Sequence, residues 1–158
     1  MRNTGPSLSP FNAWVLTKGL ETLRMRVLHS TAGAERIAAW LEEHPRVNRV
    51  LYPWLESHPQ HALAKQQMSG GGTVVTFEVE GGKEQAFSVL DRLEIVDISN
   101  NLGDTKTLIT HPATTTHHRM GPEGRARVGI TDGLVRISVG LEDVDDLLQD
   151  LDRALSGT

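Results

Sequence analysis

Between Thr73 and Glu80 the chain reads TVVTFEVE, with Val75, Phe77 and Val79 alternating against Thr76, Glu78 and Glu80. Successive side chains of a strand point to opposite faces, so this run predicts a strand buried on one face only. That period commits the chain to a sheet with one packed face. Glycines punctuate both ends, Gly70–Gly72 before the run and Gly81-Gly82 after it. The triple glycine follows a helical segment and does not open a helix after a strand, so it reads as a hinge or turn and not as a phosphate cradle. Leu134–Val139 repeats the alternation, with Val135, Ile137 and Val139 on one face and Leu134, Arg136 and Ser138 on the other. Val47–Tyr52, Ile95–Ile98 and Thr107–Thr110 are shorter strand candidates.

Helical periods fill the intervals. Ser9-Pro10 is a helix start, a hydroxyl at the N-cap followed by a proline whose missing N–H costs nothing at the first helical position. Leu16, Leu20, Leu23 and Val27 then recur at helical spacing, widened by Trp14 and Leu28, and predict a helix over Pro10–His29. Ser30 and Thr31 offer a second cap for a helix with Ile37, Ala38 and Leu41 inward, ending near Glu43 before Pro45. Further helices are expected over Pro59–Met68 and over Lys83–Leu93, the latter with Ala86, Phe87, Leu90 and Leu93 inward. Asp143 caps the last one, with Asp145 and Asp146 in its positive first turn and Val144, Leu147, Leu148, Leu151 and Leu155 as its stripe up to Gly157. Interleaved helices and short strands predict an α+β, two-layer fold: a mainly antiparallel sheet of about four strands, helices on one side, the other face solvated or turned to a ligand.

At 158 residues the chain is one domain by size. A net charge of -4, without any block of like charge, argues against nucleic acid and anionic lipid as partners. The absence of cysteine removes disulfides, thiolate catalysis and sulfur-ligated zinc, and suits a reducing cytoplasm. No apolar run approaches the ~20 residues that span a bilayer, and the N-terminal residues lack a signal-peptide core.

Arg136 is the residue with the most chemical promise, because a strand holds it away from the core and its guanidinium forms a planar fork suited to a carboxylate or phosphate. From spacing alone, an ion pair with a neighbouring acid is the commoner role for such an arginine. Asn100, Asn101 and Gly103 form a turn able to face an anion, although asparagine-rich turns are mostly only turns. Nothing in the sequence around Lys106 lowers its pKa, so it is read as a solvated lysine and not as a nucleophile. His58 and His61 lack the i, i+4 spacing of a helical zinc pair, and the adjacent His117 and His118 diverge; with His111 they are read as structural or solvated, and no metal is expected.

Taken together, GPSLSPFNAWVLTKGLETLRMR, SHPQHALAKQQMSGGGTVVTFEV, NNLGDTKTLITHPATTTHHR and DGLVRISVGLEDVDDLLQDL resemble, in order and spacing, the C-terminal domain of the cysteine/methionine-metabolism family of pyridoxal-phosphate enzymes. The resemblance runs from about Gly5 to Leu155, and the Asn-Asn-Leu-Gly-Asp wording is most similar to the family's sulfhydrylase branch. It implies the small domain of a fold-type I enzyme, with residues 1–30 as a connecting helix toward a larger domain and 31–158 as a substrate-recognition domain. It also implies that the arginine matching Arg136 grips the substrate α-carboxylate, with Asn101, Thr116 and Asn100 beside it. His118 and Gly124 depart from the pattern, which has a smaller polar residue and a charged one there. The cofactor lysine, phosphate cradle, stacking tyrosine and ring-nitrogen aspartate of the family belong to its larger domain. The chain is therefore expected to be a fragment with no catalytic residue of its own and no tightly bound cofactor, from a parent that binds pyridoxal phosphate. The implied reaction replaces the succinyl or acetyl group of a homoserine ester by sulfide to give homocysteine, in a homo-oligomer, usually a tetramer. The competing expectation is a stand-alone amino-acid-binding α+β module without catalysis.

Overall fold

In a computed structural model that describes residues 7–157, the TVVTFEVE run forms an interior strand of the sheet. The first six residues of the expected connecting helix and the terminal Thr158 lie outside the described residues. In chain order the elements are α1 (Pro10–Glu21), α2 (Leu23–Glu43), β1 (Val47–Leu51), α3 (His61–Gln67), β2 (Val74–Val79), α4 (Gly82–Arg92), β3 (Asp97–Ile98), β4 (Leu108–Thr110), a 3-10 turn (His118–Met120), α5 (Gly121–Arg127), β5 (Leu134–Ser138) and α6 (Val144–Ser156). The strands form one five-stranded sheet in the order β1-β2-β5-β4-β3, parallel only between β3 and β4. The fold is α+β, with one strand more than the four expected.

Helices α2, α4 and α6 cover one face. Val75, Phe77 and Val79 of β2 and Val135 and Ile137 of β5 meet Ile37 and Leu41 of α2, Ala86 and Val89 of α4, and Leu147 and Leu151 of α6 in a single buried cluster. Fully burying one such side chain contributes about 1.5–3 kcal/mol, so this cluster dominates the drive to fold. Phe87, expected inward, is more exposed than its helix neighbours because it sits one residue, about 100° of helix, away from Ala86. Val89 takes the inward place instead.

The first two helices differ from expectation. The break falls at Thr22 and not at Ser30, and Arg26 bridges it, donating from Nη2 to the Gly19 carbonyl at 2.6 Å and from Nε to Thr22 Oγ1 at 3.2 Å. Ser30 and Thr31 are interior positions of α2. The Ser30 hydroxyl is buried and donates to the Gly140 carbonyl at 2.7 Å, a partner 110 residues away that no local pattern announces. Packing does change at that point: nearly all residues of 7–29 are exposed, and burial begins at Ser30. Ser9 caps α1 by accepting from the Asn12 amide, and Asp143 caps α6 by accepting from the Asp145 amide. Among the described residues no helix is long and apolar enough to cross a membrane.

Candidate carboxylate-binding site

The sheet face opposite α2, α4 and α6 carries a polar row. Arg136 of β5 lies between Thr76 of β2 and Thr110 of β4, its direct cross-strand neighbours, so the three side chains share one face. This face is less open than the alternation implied, since Leu134 and Ser138 on either side of Arg136 are buried.

One end of the guanidinium is tied to a loop. Nη2 donates to the main-chain carbonyls of Asn100 at 2.9 Å and Asn101 at 3.2 Å. The loop is itself pinned: the Gly103 amide donates to Ser138 Oγ at 3.0 Å, and the Ser99 amide to the Ile109 carbonyl at 2.9 Å. At its far end the Thr107 amide and hydroxyl donate to the two carboxylate oxygens of Glu142, at 2.6 and 2.7 Å. On the edge that it shares with Nη2, Arg136 Nε is buried without an acceptor among the described residues. No carboxylate pairs with Arg136 among them either, so the ion-pair role is not what the structure shows. A cationic fork is thus oriented by neutral carbonyls and retains an unsatisfied donor.

Of the residues read from sequence, Asn100 and Asn101 reach Arg136 through their backbones, and both side chains remain exposed. Thr116 is exposed with its hydroxyl 2.8 Å from His117 Nδ1, and it makes no hydrogen bond to Arg136. Thr115 is the threonine tied to the polar row, its hydroxyl 2.9 Å from Thr110 Oγ1. Sequence reasoning missed Thr110, Thr115 and Ser138, although the position of Ser138 two residues beyond Arg136 placed it on the same face. Lys106 hydrogen-bonds Asp97 at 3.0 Å, and that bond and the acid's charge hold its pKa above the usual lysine value. It is an ion-paired lysine and no nucleophile. The amides of Lys106 and Thr105 keep the exposed Asp104 carboxyl below the ordinary range.

The family described as Cys/Met metabolism PLP-dependent enzyme matches residues 1–156. The chain belongs to that family. It is 66% identical over 160 residues to O-succinylhomoserine sulfhydrylase of Mycobacterium tuberculosis, covering 99% of this chain and 39% of that protein. The O-succinylhomoserine sulfhydrylase of Pseudomonas aeruginosa is 55% identical over 156 residues, with the same coverage. Among solved structures, a putative O-acetylhomoserine (thiol)-lyase from Campylobacter jejuni superposes with a TM-score of 0.93 at 39% identity, over 98% of this chain and 37% of that one. That structure carries N'-pyridoxyl-lysine-5'-monophosphate. The chain thus spans well under half the length of the relatives it matches.

Members of the family depend on pyridoxal phosphate, and the residues of this chain do not make a seat for it. Each of its four lysines is engaged elsewhere: Lys18 with Glu21, Lys65 over the Trp54 ring, Lys83 over the Phe87 ring and Lys106 with Asp97. The triple glycine is no cradle, because the ring of Tyr52 fills the space above Gly71.

Proposed function

We propose that this chain is the substrate-recognition part of a pyridoxal-phosphate-dependent sulfhydrylase that converts O-succinylhomoserine, or O-acetylhomoserine, and sulfide to homocysteine. Arg136 binds the α-carboxylate of the amino-acid substrate, Asn100 and Asn101 form one wall of that site, and Thr116 lies at its rim. Residues 1–30 act as the connecting arm and 31–158 as the recognition domain. The longer enzyme assembles as a homo-oligomer. The chemistry at the γ-carbon belongs to the cofactor and to residues outside this chain; what this chain contributes is orientation.

The observation that carries the proposal is the unsatisfied Nε of Arg136. A buried donor without a partner costs roughly 1–3 kcal/mol, more when charged, and a bidentate carboxylate removes that cost. The two sulfhydrylase relatives favour a homoserine ester over other amino acids as the ligand.

The test is an NMR titration of the ¹⁵N-labelled chain with O-succinyl-L-homoserine, observing the Arg136 Nε–H resonance. A saturable shift that is lost when the ligand's α-carboxylate is methyl-esterified supports the assignment. Either an equal response to the ester or no response from Arg136 overturns it.

A further inference from the structure

His111 follows directly on Thr110 at the end of β4, and the structure leaves almost none of it exposed. Three of its atoms are in use. Nε2 lies 2.8 Å from the Asp132 carbonyl, Nδ1 lies 2.9 Å from Thr114 Oγ1, and its own carbonyl accepts from Thr115 Oγ1 at 2.9 Å. The Asp132 carbonyl is solely an acceptor, so Nε2 carries a proton and donates to it. The Phe87 ring meets the imidazole edge-on, with centroids 5.0 Å apart, and restricts its rotation.

These bonds close a neck. Residues 112–131, which include the threonine turn, the 3-10 turn and α5, leave the sheet after His111 and return to it through Asp132 and β5. The His111 to Asp132 bond joins the two ends of that excursion. Arg125 donates to the Asp132 side chain at 3.3 Å on the same return segment. At the neck, the Thr115 hydroxyl donates to the His111 carbonyl and meets the hydroxyl of Thr110, the cross-strand neighbour of Arg136.

We infer that His111 is a positioning residue for the Arg136 site: its Nε2–H bond to Asp132 sets the threonine turn, and through Thr115 and Thr110 it sets the surroundings of the guanidinium. The inference rests on the reading of Arg136 as a carboxylate receptor. Buried histidines of this kind are ordinarily interior packing, and the experiment separates the two roles.

A glutamine amide reaches where Nε2 stands and an asparagine amide only where Nδ1 stands. H111Q therefore keeps the bond to Asp132 and loses that to Thr114, whereas H111N does the reverse. In the ligand-free labelled chain, H111N is expected to move the Arg136 Nε–H resonance and H111Q to leave it in place. T115V, at an exposed residue where folding is not at risk, is expected to move it as H111N does. With O-succinyl-L-homoserine added, H111N and T115V are expected to bind about fivefold more weakly than the unaltered chain, the effect of one neutral hydrogen bond, and H111Q within about twofold. Should H111N not fold, H111L, of similar bulk and without either side-chain bond, takes its place in the comparison with H111Q. If T115V leaves the resonance and the affinity unchanged, or H111Q disturbs them as much as H111N does, His111 is only packing and the inference is overturned. An unaltered chain that gives no response to O-succinyl-L-homoserine, while T115V still moves the free resonance, overturns the carboxylate reading and leaves the positioning result standing.

Discussion

Arg136 and Asn100, 36 residues apart in sequence, are joined by a 2.9 Å hydrogen bond from the guanidinium Nη2 to a main-chain carbonyl. A side chain that holds a backbone carbonyl orders the loop whatever the neighbouring side chains are. It engages Nη2 and leaves the adjacent Nε without an acceptor among the described residues. Arg136 is therefore a loop anchor in the structure and a ligand receptor in the function proposed for it, and substitutions at this position bear on both.

On the proposed function, Arg136→Ala in a longer enzyme containing this chain removes a charge-assisted contact to the substrate carboxylate, about 1.5–3 kcal/mol net. The expected result is roughly a ten- to hundredfold fall in kcat/KM for the homoserine ester. Arg136→Lys should recover only part of this, because an ammonium keeps the charge and loses the fork. Cofactor absorbance should be unchanged. If kcat/KM is retained while the melting temperature falls, Arg136 is only the loop anchor.

Asp150 supplies a pH prediction. Its buried carboxylate accepts the amides of Glu94, Ile95 and Val96 at 2.9, 2.9 and 3.1 Å, and Arg153 also donates to it. Burial by itself raises the Asp150 pKa, but the three amides and the guanidinium outweigh it and hold the group below the usual carboxylate range. A depressed folded-state pKa means stability that is fully present above the unfolded value, ~3.9, and is lost as pH falls through the folded value. Asp150→Asn, which keeps one acceptor and gains unwanted donors, should cost about 2–4 kcal/mol at neutral pH. It should also flatten the loss of stability below about pH 4. Denaturant melts of both proteins between pH 3 and pH 7 decide it: parallel curves would show that the carboxylate charge contributes nothing.

Much of this architecture was legible because local chemistry and tertiary packing agree there. In β2 the period-two pattern and the burial coincide, and α6 starts at Asp143 and ends at Gly157 as its residues advertise. Agreement fails where a polar side chain has a distant partner. Ser30 has the residue type of a cap, but the Gly140 carbonyl 110 positions away makes it a helix-interior residue. Gly121 and Gly124 disguised α5, a helix of 7 residues held by the 3-10 turn before it and by Arg125. At the site, strand alternation revealed Arg136, whereas the approach of Asn100 and Asn101 through backbone carbonyls leaves no trace in side-chain identity.

Tyr52 is the single tyrosine of the chain, which makes its titration directly readable. Its hydroxyl donates to the Gly72 carbonyl at 2.8 Å, and burial first, then the charge of Glu35, push its pKa well above the ordinary phenol value. Because the folded pKa is raised, the associated stability is present below the unfolded value, ~10, and is lost as pH rises beyond it. The ultraviolet signal of phenolate should therefore stay absent at pH 10–11 and appear together with unfolding. A reversible phenolate transition near pH 10 in protein that remains folded would contradict the buried, bonded hydroxyl.

Gly71 and Gly72 test the same corner from the backbone side. A Cβ on Gly71 would overlap the Tyr52 ring, whereas Gly72 has open space but a φ of +85°. Gly71→Ala should cost about 1–3 kcal/mol or more as overpacking, and Gly72→Ala about 1–2 kcal/mol as backbone strain. Adding Tyr52→Phe to Gly71→Ala should restore little, since the overlap involves ring carbon as well as oxygen. Equal, negligible effects of both alanines in thermal melts would mean that the loop does not hold this conformation.

The exposed face of α1 bears on association. Phe11, Trp14, Leu16 and Leu20 are 59–68% exposed, and Leu16 and Leu20 are one helical turn apart on one side. Large apolar side chains exposed in this number along one helix mark a contact surface. The isolated chain should therefore self-associate with increasing concentration, seen as a rise in weight-average mass by sedimentation. Leu16→Glu with Leu20→Lys should return it to a monomer with an unchanged melting temperature, because neither side chain belongs to the buried cluster. A wild-type chain that stays monomeric at high concentration would count against the homo-oligomer proposed for the longer enzyme, as far as α1 is the surface that carries it.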